Sequence, residues 1–348
     1  MILEEFQHRI RAAAERRAAL RLRGGGTKDF YGNALRGEVL DTRAYSGIVE
    51  YEPTELVVTA RCGTPLSELE ANLEKNAQCL PFEPPHFGAG ATIGGCIAAG
   101  LSGPRRASAG ALRDFVLGVK LLDGRGQALA FGGRVMKNVA GYDVSRVLAG
   151  SLGTLGMIAE VSLKLAPRAQ AETTLRLEAP QTRALELMNR WAGQPLPLSA
   201  TAWREGELAL RLSGSAAGVR AAAAKIGGAI APDDLWRGLR EQTDPFFSGP
   251  EPLWRLAVPS TTPPLELQGR QLIEWHGALR WLKSAEAPAA VRAAARRVNG
   301  HATLFRAADK AAGCFDALDP VLARVHRELK ATFDPAAVFN PGRMYPEL

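Results

Sequence analysis

Three glycine-rich segments crowd the first half of the chain, and they constrain what it can fold into more than any other feature. The first, Arg23-Gly24-Gly25-Gly26-Thr27-Lys28, closes a short apolar and basic run that starts at Ala19. Consecutive glycines reach positive φ and turn successive N–H groups toward one point, which makes an anion site. Arg23, Thr27 and Lys28 add donors and charge suited to a diphosphate, although this segment alone also reads as a plain turn between strands. The second runs from Pro84-Pro85-His86-Phe87-Gly88 through Gly90, Thr92, Gly94 and Gly95 to Gly100 and Gly103-Pro104-Arg105-Arg106. A loop of small residues there lets backbone amides approach a large planar or phosphorylated ligand. The third, Gly150-Ser151-Leu152-Gly153-Thr154-Leu155-Gly156, leads into a strand from Met157. Neither common nucleotide template fits. A hydrolase P-loop needs G-x-x-x-x-G-K-[ST], and a Rossmann turn needs G-x-G-x-x-G directly after a strand. Asp29 stands where the first segment would need its last glycine, and prolines precede the second. Together the three loops argue for a cofactor held mainly by backbone.

At 348 residues the chain exceeds what one hydrophobic core usually serves, so two domains are expected. Its 46% hydrophobic and 23% charged residues are those of an ordinary globular protein. No stretch approaches the roughly 20 continuous apolar residues of a membrane span. Leu3, Phe6 and Ile10 are set among charges, a pattern for an amphipathic surface helix rather than a signal peptide. The net charge is +7, yet only nine of the 43 basic residues are lysines, and no basic run interleaves with aromatics. A nucleic-acid surface is therefore not expected. Cys62, Cys79, Cys96 and Cys314 are scattered, with no C-x-x-C, and the histidines are isolated. No metal or iron–sulfur site is expected, and the cysteine usage points to a reducing, cytoplasmic compartment.

Leu56 to Ala60 reads as a strand. Thr64 reads as the N-cap of a helix that begins with Pro65 and buries Leu66, Leu69 and Leu73. Phe115 to Leu122 and Gln127 to Phe131 flank the hairpin signal Asp123-Gly124-Arg125-Gly126. A further strand runs from Met157 to Leu165. Beyond Pro167 glycines thin out, alanine-rich helical segments appear, and all the tryptophans follow. Leu253 to Val258 reads as a strand within that stretch. The organisation is α+β, with a glycine-loop domain over 1–168, a second α+β domain over 169–325, and a terminal helix and tail over 326–348.

The same residues carry a resemblance. Arg23 to Lys28, Thr92 to Gly95 with Gly103 to Arg106, Arg113 to Val119 and Lys137 to Gly156 resemble the FAD-binding domain of the vanillyl-alcohol oxidase (PCMH-type) flavoprotein family. Glu83 to Gly88, Met136 to Tyr142, Glu274 to Gly277 and Arg280 to Leu282 are similar to the smaller FAD-binding subunits of bacterial glycolate oxidases. The resemblance implies two α+β subdomains that clamp FAD, followed by an α+β cap. It implies that Arg23, Gly24, Gly25, Gly26, Thr27 and Lys28 hold the pyrophosphate. Pro85, Gly90, Thr92, Gly94, Gly95, Gly100, Gly103, Gly153, Gly156, Ile158 and Asn340 would lie along the rest of the cofactor. Covalent members place a histidine just after the glycine loop. Here Thr27 and Lys28 follow Gly26, so non-covalent FAD is expected.

A flavin dehydrogenase of 2-hydroxy acids needs a base for the hydroxyl proton and cations for the carboxylate. His86 and His276 are candidates for the base, with satisfied structural histidines as the alternative. Arg255, Arg280 and Arg343 are candidates for the carboxylate, with inter-domain ion pairs as the alternative. Larger catalytic relatives carry histidine-rich metal clusters, which this sequence lacks. That favours an FAD-binding subunit acting on glycolate beside a larger catalytic flavoprotein and an iron–sulfur subunit. Contact with the inner membrane would then be peripheral, through the complex. A self-sufficient FAD-dependent dehydrogenase of D-lactate or glycolate is the second reading.

Overall fold

In a computed structural model of the chain, residues 2–133, 143–232 and 234–348 are described. Part of the motif evidence, Met136 to Tyr142, lies outside them. The first helix, Ile2–Arg16, buries Phe6, Ile10 and Ala13, which stand three and four residues apart and so share one face. That face packs on a two-stranded parallel sheet, Leu20–Arg23 beside Glu38–Asp41. Val338 and Phe339, from the far end of the chain, complete the same cluster, and Leu20 N donates to Val338 O at 2.7 Å.

A five-stranded antiparallel sheet forms the second layer, in the order Ile48–Glu52, Val57–Arg61, Met157–Lys164, Val116–Leu122, Ala128–Gly132. Helices Leu66–Glu74 and Ile93–Ala99 pack their apolar residues against it. The expected hairpin is present, with Asp123 Oδ1 accepting from the backbone N–H of Arg125 and Gln127 at 2.9 and 2.8 Å. Thr64 does not cap its helix. It is fully buried, and its hydroxyl instead bonds the backbone of Gly47, accepting at 2.9 Å and donating at 3.1 Å. The second glycine segment is not a loop throughout, because from Ile93 it is a helix capped by Thr92.

An eight-stranded antiparallel sheet fills the second half. Its order is Ala229–Ala231, Ala171–Glu178, Glu207–Gly214, Leu198–Arg204, Arg270–Glu274, Leu279–Lys283, Leu253–Ala257, His301–Arg306. Most of these strands carry no alternation in the sequence because both faces of the sheet are covered. Helices Gln181–Ala192, Ala216–Ile226 and Pro288–Arg297 cover the outer face. The inner face packs on Tyr31, Ala99 and Leu101 of the first half, so a seam runs between the halves. The last helix, Pro320–Phe333, ends in a buried Lys330–Asp334 pair at 2.7 Å.

Candidate functional site

The turn after Leu20–Arg23 presses its back against the second glycine segment. A Cβ on Gly24 would collide with Thr92 Oγ1, and one on Gly25 with the Gly90 carbonyl. Only glycine lets two backbones approach so closely. Gly26, at φ +72°, lies under the Arg23 guanidinium, which pairs with Asp29 at 3.0 Å. Thr92 Oγ1 accepts from Gly95 N at 3.4 Å. The third segment closes the opposite wall, with Gly153 at φ +71° and Gly156 at φ +156°. Asn340 ties this wall to the first strand, accepting from Leu22 N at 2.9 Å and donating to Leu152 O at 2.7 Å.

The result is a slot with two chambers. Arg23 to Lys28, Thr92, Gly95 and Asn340 line the first. Gly24, Gly94, Gly95, Gly153, Gly156, Ile158 and Asn340 line the second. Thr42, Cys62, Ala98 and Leu152 also line it; Ala98 and Leu152 fall within the second and third glycine segments, whereas Thr42 and Cys62 were not singled out as site residues. Gly100 stays outside the slot: at φ +64° it ends the helix and packs on Gly150. Gly90 supports the slot from behind, through its contact with Gly25. Lys28 has no ion-pair partner among the described residues. Its Nζ donates to His86 O at 3.2 Å and stands 5.6 Å from the centroid of the Phe87 ring, and burial lowers its pKa. A backbone cradle without room for a Cβ, beside an ammonium that makes no direct ion pair among the described residues although Glu241 lies within electrostatic reach, fits a diphosphate. The chambers measure about 80 and 60 Å³, short of the roughly 300 Å³ of an ordinary ligand pocket.

Pro85 and Gly103 line a different cavity, at the seam, together with Gln242, Arg255, Glu274 and Trp275 of the second half. Trp275, His276 and Gly277 form a turn there with φ of +54°, +57° and +103°. For the two non-glycine residues this strain costs on the order of 1–3 kcal/mol each. Bonds from outside hold the turn, among them Trp275 Nε1 to Gly103 O at 3.0 Å, His276 N to Thr201 Oγ1 at 2.9 Å, and Asn189 Nδ2 to His276 O at 3.1 Å.

The candidate catalytic residues separate clearly. The His276 ring sits between Thr201 Oγ1 and Ser108 Oγ, each at 3.3 Å, and burial lowers its pKa. His86 Nε2 lies 3.0 Å from Glu70 Oε2. Arg280 points to the outer face of the sheet, donating to Gly277 O at 2.6 Å and Thr262 O at 2.7 Å, and burial lowers its pKa to about 10. Arg343 binds backbone carbonyls of Asp29, Tyr31 and Asn33 and so shapes the chain beyond the glycine turn. Arg255 alone among these arginines faces the seam cavity. Beside it is a residue that sequence reading did not single out as a site. Glu274 is buried, accepts from Trp281 Nε1 at 2.7 Å, and has its pKa raised by burial to about 7. Its signals were its place at the head of the Glu274 to Gly277 motif and an acidic residue ending the apolar run Leu272-Ile273. Among the described residues no group of three or more His, Cys, Asp or Glu could hold a metal ion.

Fold and slot together define a PCMH-type flavoprotein, and a family model described as an FAD binding domain matches residues 3–132. The glycolate oxidase subunit GlcE of Escherichia coli (strain K12) is 48% identical over 339 residues, covering 97% of this chain and 96% of that one. The chain belongs to the family of that subunit. A second relative, the glycolate oxidase subunit GlcD of Bacillus subtilis (strain 168), is 30% identical over 174 residues, 49% of this chain and 37% of its own length. The solved alkyldihydroxyacetonephosphate synthase shares the fold, with a TM-score of 0.67 over 97% of this chain and 75% of that one at 16% identity. The cofactor of the chain is FAD.

Proposed function

We propose that the chain is the FAD-binding subunit of a glycolate oxidase, converting glycolate to glyoxylate with a larger flavoprotein subunit and an iron–sulfur subunit. The observation that carries this reading is the relationship to a glycolate oxidase subunit along 97% of the chain. The GlcD likeness supports a larger flavoprotein as its partner. The chain is a flavin-dependent oxidoreductase in which bound FAD supplies the acceptor for two electrons. The backbone of Gly24 to Gly26, with Thr27 and Lys28, would hold the diphosphate. Gly94, Gly95, Gly153, Gly156, Ile158 and Asn340 would hold the parts on either side. Thr27 and Lys28 offer no histidine for a covalent bond at the glycine turn, which supports FAD held without one. No helix among the described residues is long and apolar enough to cross a membrane, so membrane contact would be made through the complex.

The purified chain should show a flavin absorption band, and acid precipitation should release FAD into the supernatant. Co-expressed with the two other subunits, it should restore glycolate-dependent dye reduction that is lost when this chain alone is omitted. A colourless chain that cannot be reconstituted with FAD overturns the reading.

A further inference from the structure

One carboxylate of the second half holds two successive amides of the first. Glu241 is the last residue of the helix Asp234–Glu241. Its Oε2 accepts from the backbone N–H of His86 at 3.0 Å and from that of Phe87 at 2.9 Å. No backbone carbonyl takes either amide among the described residues. Hydrogen bonds to an ionised acceptor are roughly twice as strong as neutral ones, so this oxygen grips the loop firmly. The helix gains nothing from the acid, because a negative charge at a helix C-terminus opposes the macrodipole. Trp236 and Leu239 bury the helix in the cluster on the inner face of the eight-stranded sheet. Trp236 Nε1 also donates to Thr174 Oγ1 of that sheet at 2.8 Å. Glu241 thereby ties the position of the sheet to the loop.

The loop in turn shapes the surroundings of Lys28. Phe87 has φ +54°, a left-handed conformation that a phenylalanine keeps only where its surroundings hold it. A Cβ on Gly88 would stand 3.3 Å from Thr27 Cγ2, so the loop lies against the end of the first glycine segment. His86 O accepts from Lys28 Nζ at 3.2 Å, and the ammonium stands 5.6 Å from the Phe87 ring centroid. Both contacts come from the two residues whose amides Glu241 holds. Burial lowers the pKa of Lys28, and the charges of Cys96 and Glu241 oppose that shift. Glu241 itself lines neither chamber of the slot, whereas Lys28 lines the first.

We propose that Glu241 is a positioning residue for FAD: by holding the amides of His86 and Phe87 it sets Lys28 at the diphosphate chamber. The second half of the chain then contributes to FAD affinity without reaching the diphosphate. This inference rests on the reading of Lys28 as a diphosphate ligand and deepens it. An acid that acted on the diphosphate only through its charge would repel it, so the two roles predict opposite signs.

Fluorescence titration of the flavin-stripped full chain with FAD tests the proposal. Glu241→Ala should weaken FAD binding by about ten-fold and speed hydrogen exchange at His86 and Phe87. Glu241→Gln keeps an oxygen for both amides and should recover most of the affinity. Glu241→Asp keeps the charge but is one methylene short, and should bind FAD less tightly than Glu241→Gln. Lys28→Met should weaken FAD by about ten-fold or more, and adding Glu241→Ala to it should cost little further, because the same contact cannot be lost twice. Glu186→Ala, at an exposed acid of the second half, should match the wild type. Glu241→Ala or Glu241→Asp binding FAD unchanged or more tightly overturns the proposal, and so do losses that multiply in the double variant. A weakened Lys28→Met beside an unchanged Glu241→Ala leaves the diphosphate reading standing and removes this one. Lys28→Met that binds FAD like the wild type removes both.

Discussion

The Gly90 carbonyl oxygen occupies the place where Gly25 would carry a Cβ. Both atoms belong to backbone, so neither can swing away as a side chain would. Gly25→Ala should therefore force the two loops apart, at a cost of about 1–3 kcal/mol, and weaken FAD binding by about ten-fold or more. Flavin-to-protein ratio and thermal melting check this. Gly193→Ala is the control, since that glycine has a negative φ and a Cβ there would meet nothing closer than 3.7 Å. Glu274 makes a residue-scale prediction about pH. Burial raises its pKa from 4.5 to about 7, against the pull of the Trp281 bond and of Arg255 and Arg211, with Glu83 pushing the same way as burial. Because the folded value lies above the unfolded one, its stabilising contribution is complete below the unfolded pKa and is lost as pH rises through the folded one. The difference corresponds to about 3 kcal/mol. Glu274→Gln keeps an acceptor for Trp281 and carries no charge. It should melt with the wild type at about pH 4 and several degrees above it at about pH 8; equal shifts at both would refute the assignment.

Among the elements, the terminal helix shows how a distant segment builds the slot. Lys330 donates to Asp334, to Thr154 O at 2.7 Å and to Phe339 O at 2.8 Å, with both charged groups buried. It thereby fixes the third glycine segment and the tail that carries Asn340. Lys330→Met should strand the Asp334 charge and destabilise the protein by about 3–5 kcal/mol, read as a lower urea midpoint. Element boundaries in the first half were legible because turn chemistry is local. Asp123-Gly124-Arg125-Gly126 makes its own hairpin, whereas Thr64 lost its capping role to Gly47, a residue that only folding brings near. The strands of the eight-stranded sheet were mostly illegible for another reason. A strand buried on both faces, such as Leu198–Arg204, shows no period that separates it from a buried helix.

For the whole molecule, the two halves are joined by a buried charge network as well as by apolar packing. Glu83, just before the second glycine segment, meets Arg211 of the eight-stranded sheet at 2.8 Å, and Arg211 also lies 5.2 Å from the Trp236 ring centroid. Arg211→Met should loosen the seam more than the slot. Hydrogen exchange at Phe82 to Phe87 should rise and thermal stability should fall by about 1–3 kcal/mol, with the hairpin at Asp123 unaffected. Equal exchange changes at both places would mean that the network does not hold the seam.

By itself the sequence determined the kind of cofactor and the half of the chain that holds it. Glycine is the residue that lets backbones touch and turn left-handed, so its clustering is legible without a fold. Only the tertiary structure decided which arginine faces the seam. Arg255 and Arg280 each sit among apolar neighbours beside a tryptophan in the sequence. Strand pairing sets Arg255 opposite Trp281 on the inner face and Arg280 opposite Leu256 on the outer one. Side chains alternate along a strand with a period of two, so this register, set between strands far apart in the chain, makes one arginine a candidate ligand and the other a brace.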